Sequence, residues 1–312
     1  MAIDPGRVLV TGANGALGKQ LFATLARISP GAERAAAVVR SAAAEQTLAG
    51  LDAAARPKTH VVDYRDVDGL AGAMAGRSLV VHLVGILKES GRSRYEDAHE
   101  KATAAVADAA LRNGVTRVVY LSILGSSPAA RNACLASKGR AEALLLEHAV
   151  PATVIRLPMV LGEGDQASRA LRAQANAGFL PLIGGGRSLE QPIDADDVVA
   201  AILSALEEPT VANQALDLAG PESLPSRELV LRAAALHGKT PRIVPVPEGL
   251  ARLGVRLLER FTAEPPITSA MLDVLLHDDH IDPEPAARAL GIRLTPLDAM
   301  LAQRVGPTKE SP

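Results

Sequence analysis

The sequence predicts a doubly wound α/β fold: a mostly parallel sheet with helices on both faces, joined to a smaller, mostly helical C-terminal region. Three observations predict it. Short, continuously apolar runs alternate with Ala- and Leu-rich segments of helical period. A glycine-rich turn follows the first apolar run, where such a sheet changes from strand to helix. After Pro158 the alternation gives way to a succession of helical patterns.

Taken in order, strands are expected near 8–10, 35–39, 60–62, 79–84, 118–121 and 153–155, with helices near 16–28, 42–51, 67–75, 95–113 and 132–148. Uninterrupted apolar strands such as Leu79-Val80-Val81 suit a sheet buried on both faces. Turn signals fall where the scheme needs them: Arg112-Asn113-Gly114 closes a helix, and Val150-Pro151 precedes a strand. Beyond Pro158, helices are expected from Gly162 to about Ala177 and near 197–206, 227–236, 250–261 and 267–276. Short strands fit 215–218 and 243–245. The tail from Gly306 reads as polar and frayed.

Composition excludes several classes. The 312 residues carry 33 Lys and Arg against 35 Asp and Glu, a formal net charge of −2. That balance speaks against a general nucleic-acid binder, which would carry a basic excess. No apolar run is long enough for a transmembrane helix. Met1-Ala2-Ile3-Asp4-Pro5-Gly6 shows neither the basic nor the apolar part of a leader, so a cytoplasmic location is expected. Cys134 is the only cysteine, which excludes an internal disulfide framework and a cysteine-based zinc site.

The strongest chemical signal is Val8-Leu9-Val10-Thr11-Gly12-Ala13-Asn14-Gly15-Ala16-Leu17-Gly18. Gly12 permits the tight turn, Gly15 lets a pyrophosphate approach the backbone, and Gly18 lets the helix lie close to the sheet. The helix start then offers free N–H groups and a positive dipole end to phosphates. Ordinary strand–helix turns also use glycine, but here the spacing sits inside a βα repeat. Residues 1–161 are therefore read as a Rossmann-type dinucleotide-binding domain, and 162–312 as a substrate or partner region partly interleaved with it. The second strand ends in Arg40, where an acid would bind an adenosine ribose and an arginine suits a 2′-phosphate. NADP(H) is favoured over NAD(H) on that residue, whose alternative is a solvated surface position. Asp63, after the third strand, is placed to accept from an adenine amino group or to cap the following helix.

These motifs resemble the extended short-chain dehydrogenase/reductase superfamily, the epimerase/dehydratase-like group. Thr11–Gly18 is its glycine signature. His82-Leu83-Val84-Gly85-Ile86, Tyr95 with His99 and Thr103, Leu121-Ser122, Arg156-Leu157-Pro158 and Gln191-Pro192-Ile193-Asp194 follow in the superfamily's order. His82-Leu83-Val84-Gly85-Ile86-Leu87 is especially similar to the atypical branch around the accessory subunit of respiratory complex I. The resemblance implies cofactor contacts at Thr11, Gly12, Asn14, Gly15, Ala16, Leu17, Gly18, Arg40, Asp63, Leu83, Val84, Gly85, Lys138 and Leu157. It also implies a catalytic set in which a serine polarises a carbonyl and a Tyr-x-x-x-Lys pair moves the proton. Ser122 and Lys138 stand in place, but the tyrosine position holds Cys134. A thiol beside a lysine is acidic enough to exchange a proton, yet its sulfur falls several ångströms short of a phenolic oxygen. Cysteine is also a common apolar filler in helices.

Two functions remain open on the sequence. One is an NADP(H)-binding protein with a degenerate catalytic motif and a structural, assembly or redox-sensing role. The other is an NADPH-dependent oxidoreductase or epimerase-like enzyme using Ser122 and Lys138 with a water or substrate group. The amphipathic helices near 250–261 and 267–276 are expected to pack against the C-terminal region, with a lipid, quinone or protein groove as the alternative. His277-Asp278-Asp279-His280 reads as a loop rather than a metal site. Gly184-Gly185-Gly186-Arg187 reads as a hairpin turn.

Overall fold

A computed structural model describes residues 3–91, 93–262 and 264–307; most of the polar tail lies outside the described residues. The first half builds β1 (Val8–Thr11), α1 (Ala16–Ile28), β2 (Ala36–Val39), α2 (Ala42–Ala49), β3 (Lys58–Val61), α3 (Val67–Met74) and β4 (Leu79–His82). It continues through α4 (Ala102–Arg112), β5 (Arg117–Ile123), α5 (Ala133–Glu147) and β6 (Ala152–Leu157). The second half adds β7 (Val160–Leu161), α6 (Gln166–Ala175), β8 (Phe179–Ile183), β9 (Leu189–Glu190), β10 (Ile193–Asp194) and α7 (Ala195–Glu207). After these come β11 (Gln214–Asp217), β12 (Leu224–Pro225), α8 (Ser226–Ala235), β13 (Arg242–Val246), α9 (Glu248–Phe261), α10 (Ser269–Leu275), α11 (Glu284–Ala289) and α12 (Leu297–Arg304).

Seven strands pair in the order β11-β6-β5-β4-β1-β2-β3, every neighbour parallel. The order reverses between β1 and β4, where Thr11 is in register with His82. A crevice opens at the carboxyl ends of the strands at such a switch point. Side chains alternate across the sheet, so Val8 and Val10 join a core with α1 and α7, while Leu9, Val80 and Val118 join one with α3, α4 and α5. A third core, of Leu171, Leu229, Met300 and Leu301, holds α6, α8 and α12 together.

Local differences from the sequence reading have physical causes. The helix expected near 95–113 begins as a π-helix over Glu96–Lys101, a widened turn often found beside functional sites. Gly184, Gly185 and Gly186 all take positive φ in the turn after β8, which a side chain would strain. The packing expected for the helix near 250–261 does not occur: within α9 only Val255 is buried, and its leucines point to solvent. The acid-rich stretch 194–197 is a fastening. Arg304 pairs with Asp194 at 2.7 Å and with Asp196 at 2.6 Å. Asp197 accepts from the Thr295 N–H at 2.7 Å. Periodicity carried no sign of this clamp, because its partners are about a hundred residues apart.

Candidate functional site

A cleft of about 770 Å³ runs along the carboxyl ends of β1 to β4. Gly12, Asn14, Gly15, Arg40, Asp63, Leu83, Val84 and Gly85 line it, all eight expected from the sequence. Ser41, Tyr64, Arg65 and Ile86 line it as well, and sequence reasoning missed them. Arg65 carried a signal, a cation two residues beyond Asp63, but only the fold shows it turned toward the cleft.

The glycine turn explains the cleft floor. Gly12 sits at φ +68°, and a Cβ there would lie 2.9 Å from the Leu83 carbonyl carbon and the Val84 nitrogen. Any side chain would force β1 and the loop after β4 apart. Gly15 is the N-cap of α1 and has no side chain to cap the helix. A Cβ on it would meet nothing closer than 3.8 Å, so the fold tolerates one and the space it would take faces the cleft. Gly18 serves packing alone: its Cβ would strike the Ala13 carbonyl. The first-turn N–H groups of α1 thus face the cleft without a side-chain acceptor, the arrangement that binds anions.

At the far end, Asp63 neither caps a helix nor stands free. Its carboxylate accepts from the Arg65 backbone at 2.9 Å and from the guanidinium at 3.1 and 3.0 Å, which holds it below the usual carboxylate range. Asp66 caps α3 instead. Arg65 also approaches Asp97 at 3.7 Å. Arg40 forms no ion pair among the described residues, though its charge is felt by Asp63; it is an exposed cation at the rim beside Ser41, the N-cap of α2.

Thr11, Ala16, Leu17, Gly18, Lys138 and Leu157 do not line this cleft. Thr11 is fully buried, and its hydroxyl lies 2.6 Å from His82 Nδ1. His82 reaches Thr103 on its other nitrogen at 3.2 Å, and burial lowers its pKa to about 3, so it is neutral. Leu157 is a core residue, Leu17 packs on that core, and Ala16 faces a groove along α1.

The expected catalytic residues gather at the end of β5 and on α5, behind the wall formed by Val84, Gly85 and Ile86. Lys138 Nζ donates to the Leu121 carbonyl at 2.9 Å, approaches that of Val84 at 3.5 Å and stands 4.5 Å over the Tyr120 ring. Burial lowers its pKa to about 8, against the pull of Cys134 and Glu142. A Cβ on Gly85 would lie 2.9 Å from Nζ, so a side chain there would press on the ammonium behind the cleft wall. Ser122 Oγ bonds to Ser126 Oγ at 3.3 Å.

Cys134 is fully buried, its thiol directed at the Ile86 carbonyl 3.5 Å away. The acidity expected from its lysine neighbour does not develop: burial outweighs Lys138 and raises the thiol to about 11. Tyr95 lies within hydrogen-bonding reach of that thiol and donates to the Leu87 carbonyl at 2.8 Å. Its ring stacks on His99 at 5.6 Å. His99 Nε2 accepts from the Ile86 N–H at 3.1 Å, and Nδ1 faces Ser137 Oγ at 3.3 Å. A connected set of side chains thus fills the room beside Cys134 and ties down the loop after β4.

With this geometry in view, comparison with known proteins is specific. A family described as NAD(P)H-binding matches residues 12–209. The chain belongs to this family. The match spans both the glycine turn and Lys138. Among curated relatives, the mitochondrial NADH dehydrogenase (ubiquinone) 1 alpha subcomplex subunit 9 of Arabidopsis thaliana is 31% identical over 193 residues, 61% of this chain and 48% of that protein. The mouse protein of that name is 25% identical over 241 residues, 76% of this chain and 63% of its own. This chain therefore spans about half to three-fifths of the length of these relatives. Solved structures share the fold: an NADPH-dependent quinone oxidoreductase from Escherichia coli (TM-score 0.70, 19% identity, 95% of this chain and 98% of that one) and a UDP-N-acetylglucosamine 4-epimerase from Bacillus cereus (TM-score 0.69, 16% identity, 96% and 97%). The short-chain dehydrogenase/reductase resemblance and its complex I branch, read from the motifs, both hold. The cytoplasmic location does not: the curated relatives are mitochondrial proteins.

Proposed function

We propose that this member of the NAD(P)H-binding family prefers NADP(H) and acts as a structural, assembly or redox-sensing component rather than as a carbonyl reductase. The observation that carries the reading is the state of the catalytic position. Cys134 is buried, reluctant to ionise and aimed at a backbone carbonyl. The nearest phenol, Tyr95, is committed to Leu87. A general acid has to come within about 3 Å of the reacting atom or act through one water, and neither group is offered to the cleft.

The residues present fit a dinucleotide. The α1 N-terminus with Gly12, Asn14 and Gly15 would take the pyrophosphate, and Arg40, Ser41 and Arg65 would surround the adenosine ribose. An unpaired arginine at that rim supports a 2′-phosphate. Asp63 would serve chiefly to orient Arg65. Lys138, behind Gly85, is the group nearest the nicotinamide end. When bound, a nicotinamide supplies hydride donor or acceptor chemistry; this chain's own part is to hold it and to withhold a proton donor. The relatives are named as NADH dehydrogenase subunits, and a place in a comparable multi-subunit assembly is the role inferred here.

A second reading, an oxidoreductase or epimerase-like enzyme, rests on Ser122 and Lys138, both retained. One experiment separates the two. Nucleotide released from purified protein by denaturation is identified by mass spectrometry, and the loaded protein is then offered aldehydes and quinones while NADPH absorbance is followed. Retained NADP(H) without turnover is expected. Robust turnover that disappears in Ser122→Ala would establish the enzyme instead.

A further inference from the structure

Helix α9 is built inside out. At about 100° per residue, Leu250, Leu257 and Phe261 fall within about 40° of one another, and they are 63%, 49% and 80% exposed. Leu253 and Leu258 widen the stripe on either side. The opposite side carries Val255, the one buried residue of the helix, and the polar pairs: Arg252 bridges Glu248 and Asp273, while Glu259 accepts from the Ser269 N–H and hydroxyl at 2.7 Å. A helix packing on its own core would show the reverse. Both glutamates of α9 already have partners, Glu248 in Arg252 and Glu259 in Ser269. Arg256 and Arg260, which form no ion pair among the described residues, line one edge of the apolar stripe. The segment lies beyond residues 12–209, outside the family match.

We propose that α9 docks this protein on an anionic lipid surface, its leucines and Phe261 entering the boundary between headgroups and chains while Arg256 and Arg260 meet lipid phosphates. Charge decides the occupant. In an antiparallel two-fold pairing through this stripe the arginine edges would meet one another, and in a parallel one each would meet an edge with no free α9 carboxylate; a phosphate layer complements both arginines. A convex apolar stripe edged by arginines is also the form that lies in an interface rather than across a bilayer, and no helix among the described residues is long and apolar enough to span one.

The test is co-sedimentation of the full chain with phosphatidylcholine vesicles, with and without phosphatidylglycerol. Wild type is expected to bind the anionic vesicles, less so as salt rises. Leu257→Ser with Phe261→Ser should weaken binding at least about tenfold. Arg256→Gln with Arg260→Gln should cost about fivefold per arginine and erase the preference for anionic vesicles. Wild type that ignores both vesicles, or binding unchanged in both double variants, overturns the proposal. So does a dimer in sedimentation velocity that the Leu257→Ser, Phe261→Ser pair dissolves while vesicles are not bound. NADPH titration of the same variants keeps this outcome separate from the cofactor reading, since α9 lines no part of the cleft.

Discussion

The two ends of the cleft are built on opposite principles. From Gly12 to Arg65 the walls are backbone N–H groups, small residues and an unpaired cation at Arg40, all facing open space. From Ile86 to Lys138 the groups around the catalytic position are engaged by other parts of the protein: Cys134 with Ile86, Tyr95 with Leu87, His99 with Ile86 and Ser137, Lys138 with Leu121. Among the described residues, the buried side-chain atoms of this stretch that lack a hydrogen-bond partner are the Tyr120 hydroxyl and Arg117 Nε. The first end is arranged to receive something; the second is arranged to stay shut. On the function proposed above, recognition is kept while the catalytic position is plugged, and the fold allows this because the two ends rest on different strands.

The sharpest way to break this comparison is at Gly15. Since nothing lies within 3.8 Å of its missing Cβ, Gly15→Val should leave the melting temperature nearly unchanged, yet weaken NADPH binding by more than about a hundredfold. Normal binding by that variant would place the phosphates elsewhere.

Lys138 tests whether the plug is truly dry. Its folded pKa is about 8 against 10.5 for the free side chain, so between those values the unfolded chain binds the extra proton. Wild type should therefore gain stability relative to Lys138→Met as the pH rises from about 8 to 10.5, by up to about 3 kcal/mol. Urea denaturation across that range reads the difference. A flat difference would mean that the ammonium is hydrated.

At the open end, Arg40→Asp should reduce NADPH affinity by about ten- to a hundredfold, the size of a charged hydrogen bond, with NADH affected far less. Equal losses for the two nucleotides, measured by fluorescence titration at one ionic strength, would remove Arg40 from the ribose site.

The smallest effect is expected at Cys134. Cys134→Ala should cost about 1 kcal/mol or less in stability and leave NADPH affinity as it was. Cys134→Tyr, which would restore the superfamily motif, should by contrast destabilise the protein, because Tyr95 and Ile86 occupy the room its ring needs. A folded Cys134→Tyr protein with new reductase activity would show that the plug yields.

Much of this architecture was legible in the chain. Apolar runs of 8–10 and 79–84 announced buried parallel strands, and the spacing of Gly12, Gly15 and Gly18 announced the strand-to-helix turn, because a local backbone requirement leaves a local mark. Of the eight cleft residues, Gly12, Gly15, Arg40 and Asp63 were legible from local pattern, whereas Asn14, Leu83, Val84 and Gly85 came from the family resemblance. What periodicity could not carry was everything made by distant partners. Arg65 meeting Asp97, Tyr95 filling the space beside Cys134, and Arg304 clamping Asp194 and Asp196 join elements from separate parts of the sequence. The acidity of Cys134 was misjudged for that reason: the nearby lysine is visible four residues on, whereas the burial that overrides it is not. Helix α9 teaches the same lesson in reverse. Its amphipathic pattern fixed where the apolar stripe lies on the helix, but a stripe is silent about which way it points. Tertiary contacts set the direction: Val255 is buried, Arg252 pairs with Asp273 and Glu259 with Ser269, and Leu250, Leu257 and Phe261 are left in water.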